Sequence, residues 1–251
     1  MERIQIKLKK NKKAYFAGDF HFGIPNDEES TRREKKVIEW LESIENHAQE
    51  LFLLGDIFDF WFEYKHVVPK NYFNFLSKIS RMIDNGINVH FFKGNHDMWT
   101  IDYFEKIGLK VYNDYQSFNI DKHNIIVGHG DGLGKGDSGY KIIKSIFKNK
   151  ILQFLFRMLH PDLGMKLGMH LSRSNKNRED HTDINNERIY RFCKEYNNKE
   201  INDAYIFGHS HKVSEKEISE LSTYYNTGEW ISQSNYLVYK SGKFNLKNFK
   251  D

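Results

Sequence analysis

A single cysteine, Cys193, serves the whole 251-residue chain, so no internal disulfide can form. It lies in a charged stretch of helical pattern, where a surface or half-buried thiol is expected rather than a nucleophile; a reducing cytoplasm fits. No run of about eighteen uncharged apolar residues occurs, and no membrane-spanning helix is expected. The opening MERIQIKLKKNKK alternates apolar and charged residues before turning basic. It lacks the apolar core and small-residue cleavage site of a secretory signal, so export is not expected. An excess of one charge is also missing: 38 Lys and Arg stand against 34 Asp and Glu, and a formal +4 makes no case for a nucleic-acid partner. Repeats, low-complexity tracts and linkers are absent as well. What is present, 39% hydrophobic and 15% aromatic residues, suffices for a sizeable core in one larger domain spanning 1–251.

Along the chain, a short strand in AYFAG precedes STRREKKVIEWLESIENHAQE, where Val37, Trp40, Leu41 and Ile44 recur at helical spacing. Thr31 and Glu34 are placed to form a capping box at its start. LFLLGD reads as a buried strand, Tyr72 to Asp84 as a helix closed by Gly86, and INVHFFKGNHD as another strand with its exit loop. This alternation predicts an α/β class. Beyond Lys110 the pattern is richer in strands, with one more helix near Glu187 to Tyr196. Residues 134–180, basic, aromatic and helix-prone, belong to neither half and read as an insertion.

Five strand-like segments end in glycine-flanked clusters of metal-binding residue types. They are Asp19 and His21 in GDFHFG, Asp56 and Asp59 in GDIFDFW, Asn95 and His96 in GNHD, His129 in GHGDG, and His209 and His211 in GHSH. Strand ends at one edge of an open sheet are where α/β folds hold ligands. Mixed imidazole and carboxylate shells suit Mn²⁺, Fe²⁺ or Zn²⁺, and a carboxylate can bridge two ions. The absence of cysteine from every cluster argues against a structural zinc site.

The ordered set D-x-H, G-D-x-x-D, G-N-H-D, G-H-G and G-H-x-H, running from Asp19 to His211, resembles the calcineurin-like metallophosphoesterase superfamily. The resemblance implies a four-layer αββα sandwich and two divalent cations, Mn²⁺ by expectation. One would be held by Asp19, His21, Asp56 and His211, the other by Asp56, Asn95, His129 and His209, with Asp56 as the bridge. His96 would not ligate. It would hydrogen-bond a phosphoryl oxygen or protonate the leaving group, with Asp97 orienting it. Gly94 would permit the turn. Asp59 and Asp131 are expected to hydrogen-bond ligand histidines rather than bind metal.

A shared metal centre does not choose a substrate. Between residues 135 and 178, ten Lys or Arg stand against two Asp, interleaved with the apolar run IIKSIFKNKILQFLFRMLH. A basic face beside an apolar one suits a phosphorylated acyl lipid or an anionic bilayer surface; a helical hairpin with a solvated basic side is the plainer reading. This insertion, with HPDLGMKLGMHLSRS, GDIFDFW and the closing NTGEW, resembles the UDP-2,3-diacylglucosamine pyrophosphohydrolases of lipid A biosynthesis, in the form found in Bacteroidetes-type bacteria. One departure stands: the well-known branch of that family has Arg where this chain has His96. The resemblance implies a cytoplasmic enzyme attached peripherally to the inner membrane, acting on a nucleotide-linked glycolipid. Arg157, Arg173, Lys176, Phe154 and Phe156 are the expected substrate contacts. A phosphodiesterase of soluble substrates and a non-catalytic interaction module remain the alternatives. A glycolipid substrate set against simple esters separates the first, and the intact ligand set weighs against the second.

Overall fold

The computed structural model of the protein describes residues 2–136, 138–176 and 182–250. Two six-stranded sheets form its centre. In the first, β2 (Lys13–Ala17), β3 (Ala48–Leu53), β4 (Asn88–Phe92) and β5 (Lys110–Tyr112) run parallel. The hairpin of β11 (Asn235–Lys240) and β12 (Lys243–Asn248) adds antiparallel to β2. The second sheet has the order β1 (Ile4–Ile6), β6 (Gln116–Ile120), β7 (His123–Val127), β8 (Ala204–Phe207), β10 (Ser222–Asn226), β9 (Ser214–Ser219), with β7, β8 and β10 parallel.

Three apolar layers bind these elements into the expected αββα order. Phe16, Phe52, Phe92, Phe118, Val127, Ile206 and Leu237 fill the space between the sheets. On the outer face of the first sheet, Val37, Trp40, Leu41 and Ile44 of α1 (Asp27–Glu45) join Phe75, Leu76 and Ile79 of α2 (Phe73–Asp84). Beyond the second sheet, Ile189 and Cys193 of α7 (Thr182–Asn197) pack on Tyr205, Phe207 and Tyr224. Cys193 is therefore fully buried rather than at the surface, and burial pushes its thiol well above the ordinary range. Period-two alternation in β4 sends Val89 and Phe91 to the helix side and Phe92 to the inter-sheet core.

The start of α1 differs from its sequence reading. Asn26 is the N-cap, its side chain accepting from the Glu29 amide, and Asp27, Glu28 and Glu29 complement the helix dipole. Thr31 thus lies inside the helix. Glu34 reaches across instead to accept from the Phe75 amide at the start of α2.

The short α3 (Tyr103–Lys106) precedes β5, and between β7 and α7 stand α4 (Ser138–Phe147), α5 (Lys150–Arg157) and α6 (Pro161–Lys176). α5 buries none of its residues. Among the described residues no helix is long and apolar enough to cross a membrane.

Candidate metal centre

The parallel strands β2, β3 and β4 of one sheet and β7 and β8 of the other deliver seven candidate ligands from their carboxyl ends. Asp19, His21 and His211 form one group whose ligand atoms lie within 4.8 Å of one another, and Asp56, His129 and His209 form a second. In the first, Asp19 Oδ1 is 3.3 Å from His211 Nε2 and 3.9 Å from His21 Nε2, and the two imidazole Nε2 atoms face each other at 3.0 Å. In the second, His129 Nε2 lies 3.2 Å from Asp56 Oδ2 and 3.1 Å from Asn95 Oδ1. Asp56 Oδ2 is also 3.8 Å from His21 Nε2, so this one carboxylate oxygen stands between the groups.

Backbone conformation sets this arrangement. Asp19, His21, Asp56, His209 and His211 have φ of 53°, 46°, 50°, 65° and 56°, in the left-handed region that L-residues occupy at a cost of about 1–3 kcal/mol each. Five strained residues in one cluster are retained where the fold fixes them for a purpose. Glycines make room. A Cβ on Gly94 would sit 2.1 Å from Asp56 Oδ1, and one on Gly208 would sit 2.3 Å from Asp19 Oδ2. Close approach, rather than a positive φ, is what requires glycine at position 94. The NTGEW stretch closes over these loops: the Trp230 amide donates to the Asp19 carbonyl and Asn226 Nδ2 to the Gly208 carbonyl.

Hydrogen bonds behind the ligands orient them. His129 donates Nδ1–H to the Leu54 carbonyl at 2.7 Å, which turns its Nε2 toward Asp56 and Asn95. The other oxygen of Asp56, Oδ1, accepts from the His96 amide. Burial disfavours a charged His129, but the adjacent Asp56 carboxylate outweighs it and raises the imidazole to about 10. Asp56 is in turn held well below the usual carboxylate range, against its own burial, by His129 and its neighbours. Asp131 accepts from Lys144 Nζ of α4 at 2.5 Å, and Asp59 Oδ1 lies 3.9 Å from Nδ1 of both His21 and His96.

Four imidazoles, two buried carboxylates and an amide oxygen, with no sulfur, are a donor set that suits divalent cations. Two buried carboxylates also need positive charge beside them. The residues fit a metal centre.

The GNHD stretch requires a correction. Asp97 does not orient His96. Its carboxylate is spent on the backbone, accepting from the Gly94 and Ile57 amides at 2.7 Å each. His96 Nδ1 instead lies 2.8 Å from both the Asp59 carbonyl and Ser172 Oγ. Among the expected substrate contacts, Phe154 is 57% exposed, whereas the Phe156 ring is packed 4.7 Å from Phe62 and 5.0 Å from Trp99. Arg157 is half-buried on α5, and the side chains of Arg173 and Lys176 lie outside the described part.

Ser172, Lys144 and Arg33 escaped the sequence reading. Arg33 is buried and donates to the His21 and Ile24 carbonyls, bracing the first ligand loop. A signal existed for it: an arginine four residues before Val37 sits on the apolar stripe of α1. No local pattern marked the other two.

The model of the calcineurin-like phosphoesterase family matches residues 12–213. The chain belongs to that family. As a calcineurin-like phosphoesterase it is a metal-dependent hydrolase. A curated relative, the UDP-2,3-diacylglucosamine hydrolase of Porphyromonas gingivalis, is 31% identical over 95% of this chain and 98% of its own length. Proteins of the same name from Psychromonas ingrahamii and Neisseria meningitidis serogroup A are 24% and 27% identical, over 92% and 80% of this chain and 95% and 83% of theirs.

Proposed function

We propose that this phosphoesterase hydrolyses the pyrophosphate of UDP-2,3-diacylglucosamine, giving UMP and 2,3-diacylglucosamine 1-phosphate. One observation of the fold carries the reading: the helices beside the metal-binding cluster present apolar side chains to solvent. Ile142, Ile151, Leu155, Met158 and Leu163 are 62%, 70%, 56%, 72% and 56% exposed. So much uncovered apolar surface in one segment is unusual in a soluble protein and suits acyl chains or a bilayer surface. The names of the relatives support the same substrate. We read residues 134–180 as an insertion within a single domain. It would cover the acyl chains and bring the enzyme to the inner leaflet from the cytoplasm, with Phe154, Arg157, Arg173 and Lys176 as contacts.

In this reading Asp19, His21, Asp56 and His211 hold one divalent cation and Asp56, Asn95, His129 and His209 the other, Mn²⁺ being the ion the family resemblance implies from among the Mn²⁺, Fe²⁺ and Zn²⁺ that such donors accept. Bound cations supply activation of water and neutralise phosphoryl charge. The Leu54 carbonyl keeps His129 Nε2 aimed inward, where a cation would take the place of its proton. His96, its Nδ1 engaged, turns Nε2 to the substrate, where it offsets charge on a phosphoryl oxygen or gives a proton to the departing phosphate. Asp97 fixes the loop that carries it. The deciding experiment is hydrolysis of detergent-solubilised UDP-2,3-diacylglucosamine against bis(p-nitrophenyl) phosphate and nucleotide diesters. Metal-dependent release of UMP is expected; turnover confined to the simple esters would favour a phosphodiesterase of soluble substrates.

A further inference from the structure

The LGMKLGMHLS run of α6 places Gly164, Gly168 and Ser172 four residues apart, on one face of the helix. That face lies hard against the loop that follows β3. A Cβ at Gly164 would stand 2.0 Å from Tyr64 Oη, and one at Gly168 would stand 2.1 Å from Phe60 Cζ. Two glycines therefore let the helix approach closely enough for the third residue of the stripe to enter the site. Ser172 is buried, and its Oγ donates to the Asp59 carbonyl at 2.8 Å while lying 2.8 Å from His96 Nδ1.

The geometry fixes the hydrogens. The Asp59 carbonyl is only an acceptor, and His96 Nδ1 is 2.8 Å from it, so Nδ1 must carry hydrogen. That hydrogen is shared between the carbonyl and Ser172 Oγ, while the serine hydroxyl hydrogen also goes to the carbonyl. The ring is thereby held through Nδ1, with Nε2 on its far side. We propose that Ser172 is a positioning residue: when α6 is seated, its hydroxyl locks the ring of His96 with Nδ1–H turned inward and Nε2 facing the substrate. The inference rests on the substrate-facing role given above to His96, but not on the identity of the lipid. It makes the helix that flanks the substrate also a condition for the chemistry, since the second of the two contacts on His96 Nδ1 is made only while α6 is docked through Gly164 and Gly168.

The test is a double-mutant cycle of Ser172→Ala and His96→Ala on the metal-loaded enzyme, with both UDP-2,3-diacylglucosamine and bis(p-nitrophenyl) phosphate as substrates. Ser172→Ala is expected to lower kcat about tenfold to a hundredfold on whichever of the two the enzyme cleaves, as loss of alignment does, with KM within about twofold. Metal content and melting temperature should stay unchanged, and Ser172→Thr should restore most of the rate. In the His96→Ala background, Ser172→Ala should add less than about twofold, because the two residues act as one unit. In the Zn²⁺-loaded protein, the His96 Nδ1–H should give a slowly exchanging low-field proton signal that is lost in Ser172→Ala. A rise in KM with kcat intact would make Ser172 a substrate contact. Independent, additive losses or an unchanged imidazole signal would also overturn the proposal. Failure to cleave the diacylated nucleotide sugar while the cycle holds on the simple diester would sink the substrate reading alone.

Discussion

At the scale of single residues, Asp56 carries more of the site than any other. One of its oxygens stands between the two groups of imidazoles, 3.2 Å from His129 Nε2 and 3.8 Å from His21 Nε2, and the other is tied to the His96 amide. Asp56→Ala is expected to abolish nearly all turnover and to lower occupancy at both cation positions, as read by metal analysis of the purified variant; full metal content with near-normal turnover would remove Asp56 from its proposed role. His96→Ala should behave in the opposite way, keeping metal while slowing turnover by about 10² to 10⁴, the usual contribution of a positioned acid or base. Loss of one equivalent of metal would instead make His96 a ligand. The clusters that contain the seven candidate ligands were legible because each stands beside a glycine at a strand exit, and such exits converge on one edge in this class of fold; the family resemblance chose the seven within them. The partners of His96 were not. Asp97 adjoins it in sequence, yet the loop needs that carboxylate for two amides, while Ser172 lies 76 positions away and is brought in by a helix whose docking no local pattern encodes.

Among the elements, the helices between β7 and α7 are where sequence pattern and packing part. The run from Ile142 to Leu159 reads as one amphipathic stretch, but the structure sorts neighbouring aromatic residues to opposite fates: Phe156 enters a cluster with Phe60, Phe62 and Trp99, and Phe154 stays outside. Periodicity identifies an apolar face; it does not say which part of that face finds a partner inside the protein. Two variants separate the roles. Phe154→Ser with Met158→Ser should leave the melting temperature within about 1–2 °C, since exposed positions change stability by only about 0.5 kcal/mol. Turnover of the diacylated substrate and binding to anionic vesicles should fall at least about tenfold, because each apolar side chain buried on lipid is worth about 1.5–3 kcal/mol. Phe156→Ser should destabilise the protein by roughly 2–4 kcal/mol and depress both substrates together. If the first pair melts early too, the exposed face is covered by the protein itself and the lipid reading of these helices fails. A similar limit applied to α1, where Asn26 capped the helix ahead of the Thr31 that the pattern favoured, because Asn26 could reach the Glu29 amide from an extended backbone.

The whole molecule is a pair of sheets joined at their faces by apolar packing and at one edge by a shared cluster of polar groups. The first sheet contributes Asp19, His21, Asp56 and Asn95, and the second contributes His129, His209 and His211, so a bound cation would tie the layers together across the seam. Chelation should therefore cost stability as well as activity. A ligand present at 100 times its dissociation constant adds about 2.7 kcal/mol. At roughly 2–4 °C per kcal/mol for a protein of this size, the melting temperature should fall by about 5–10 °C in chelator and recover with added Mn²⁺. An unchanged melting curve would mean that the seam is closed without metal. The same division between sheets bears on when the protein can be made active. Five of the seven ligands precede β8, and the remaining two, His209 and His211, lie 80 and 82 residues beyond His129. At about 5–20 residues per second, a growing chain waits roughly 4–16 s with an incomplete set. Such a set has nitrogen and oxygen donors but no finished geometry, the condition under which affinity alone ranks the divalent metals and copper outranks manganese. Faithful metal selection thus belongs to the finished chain, after the ribosome has passed His211 and β11 has closed the free side of β2.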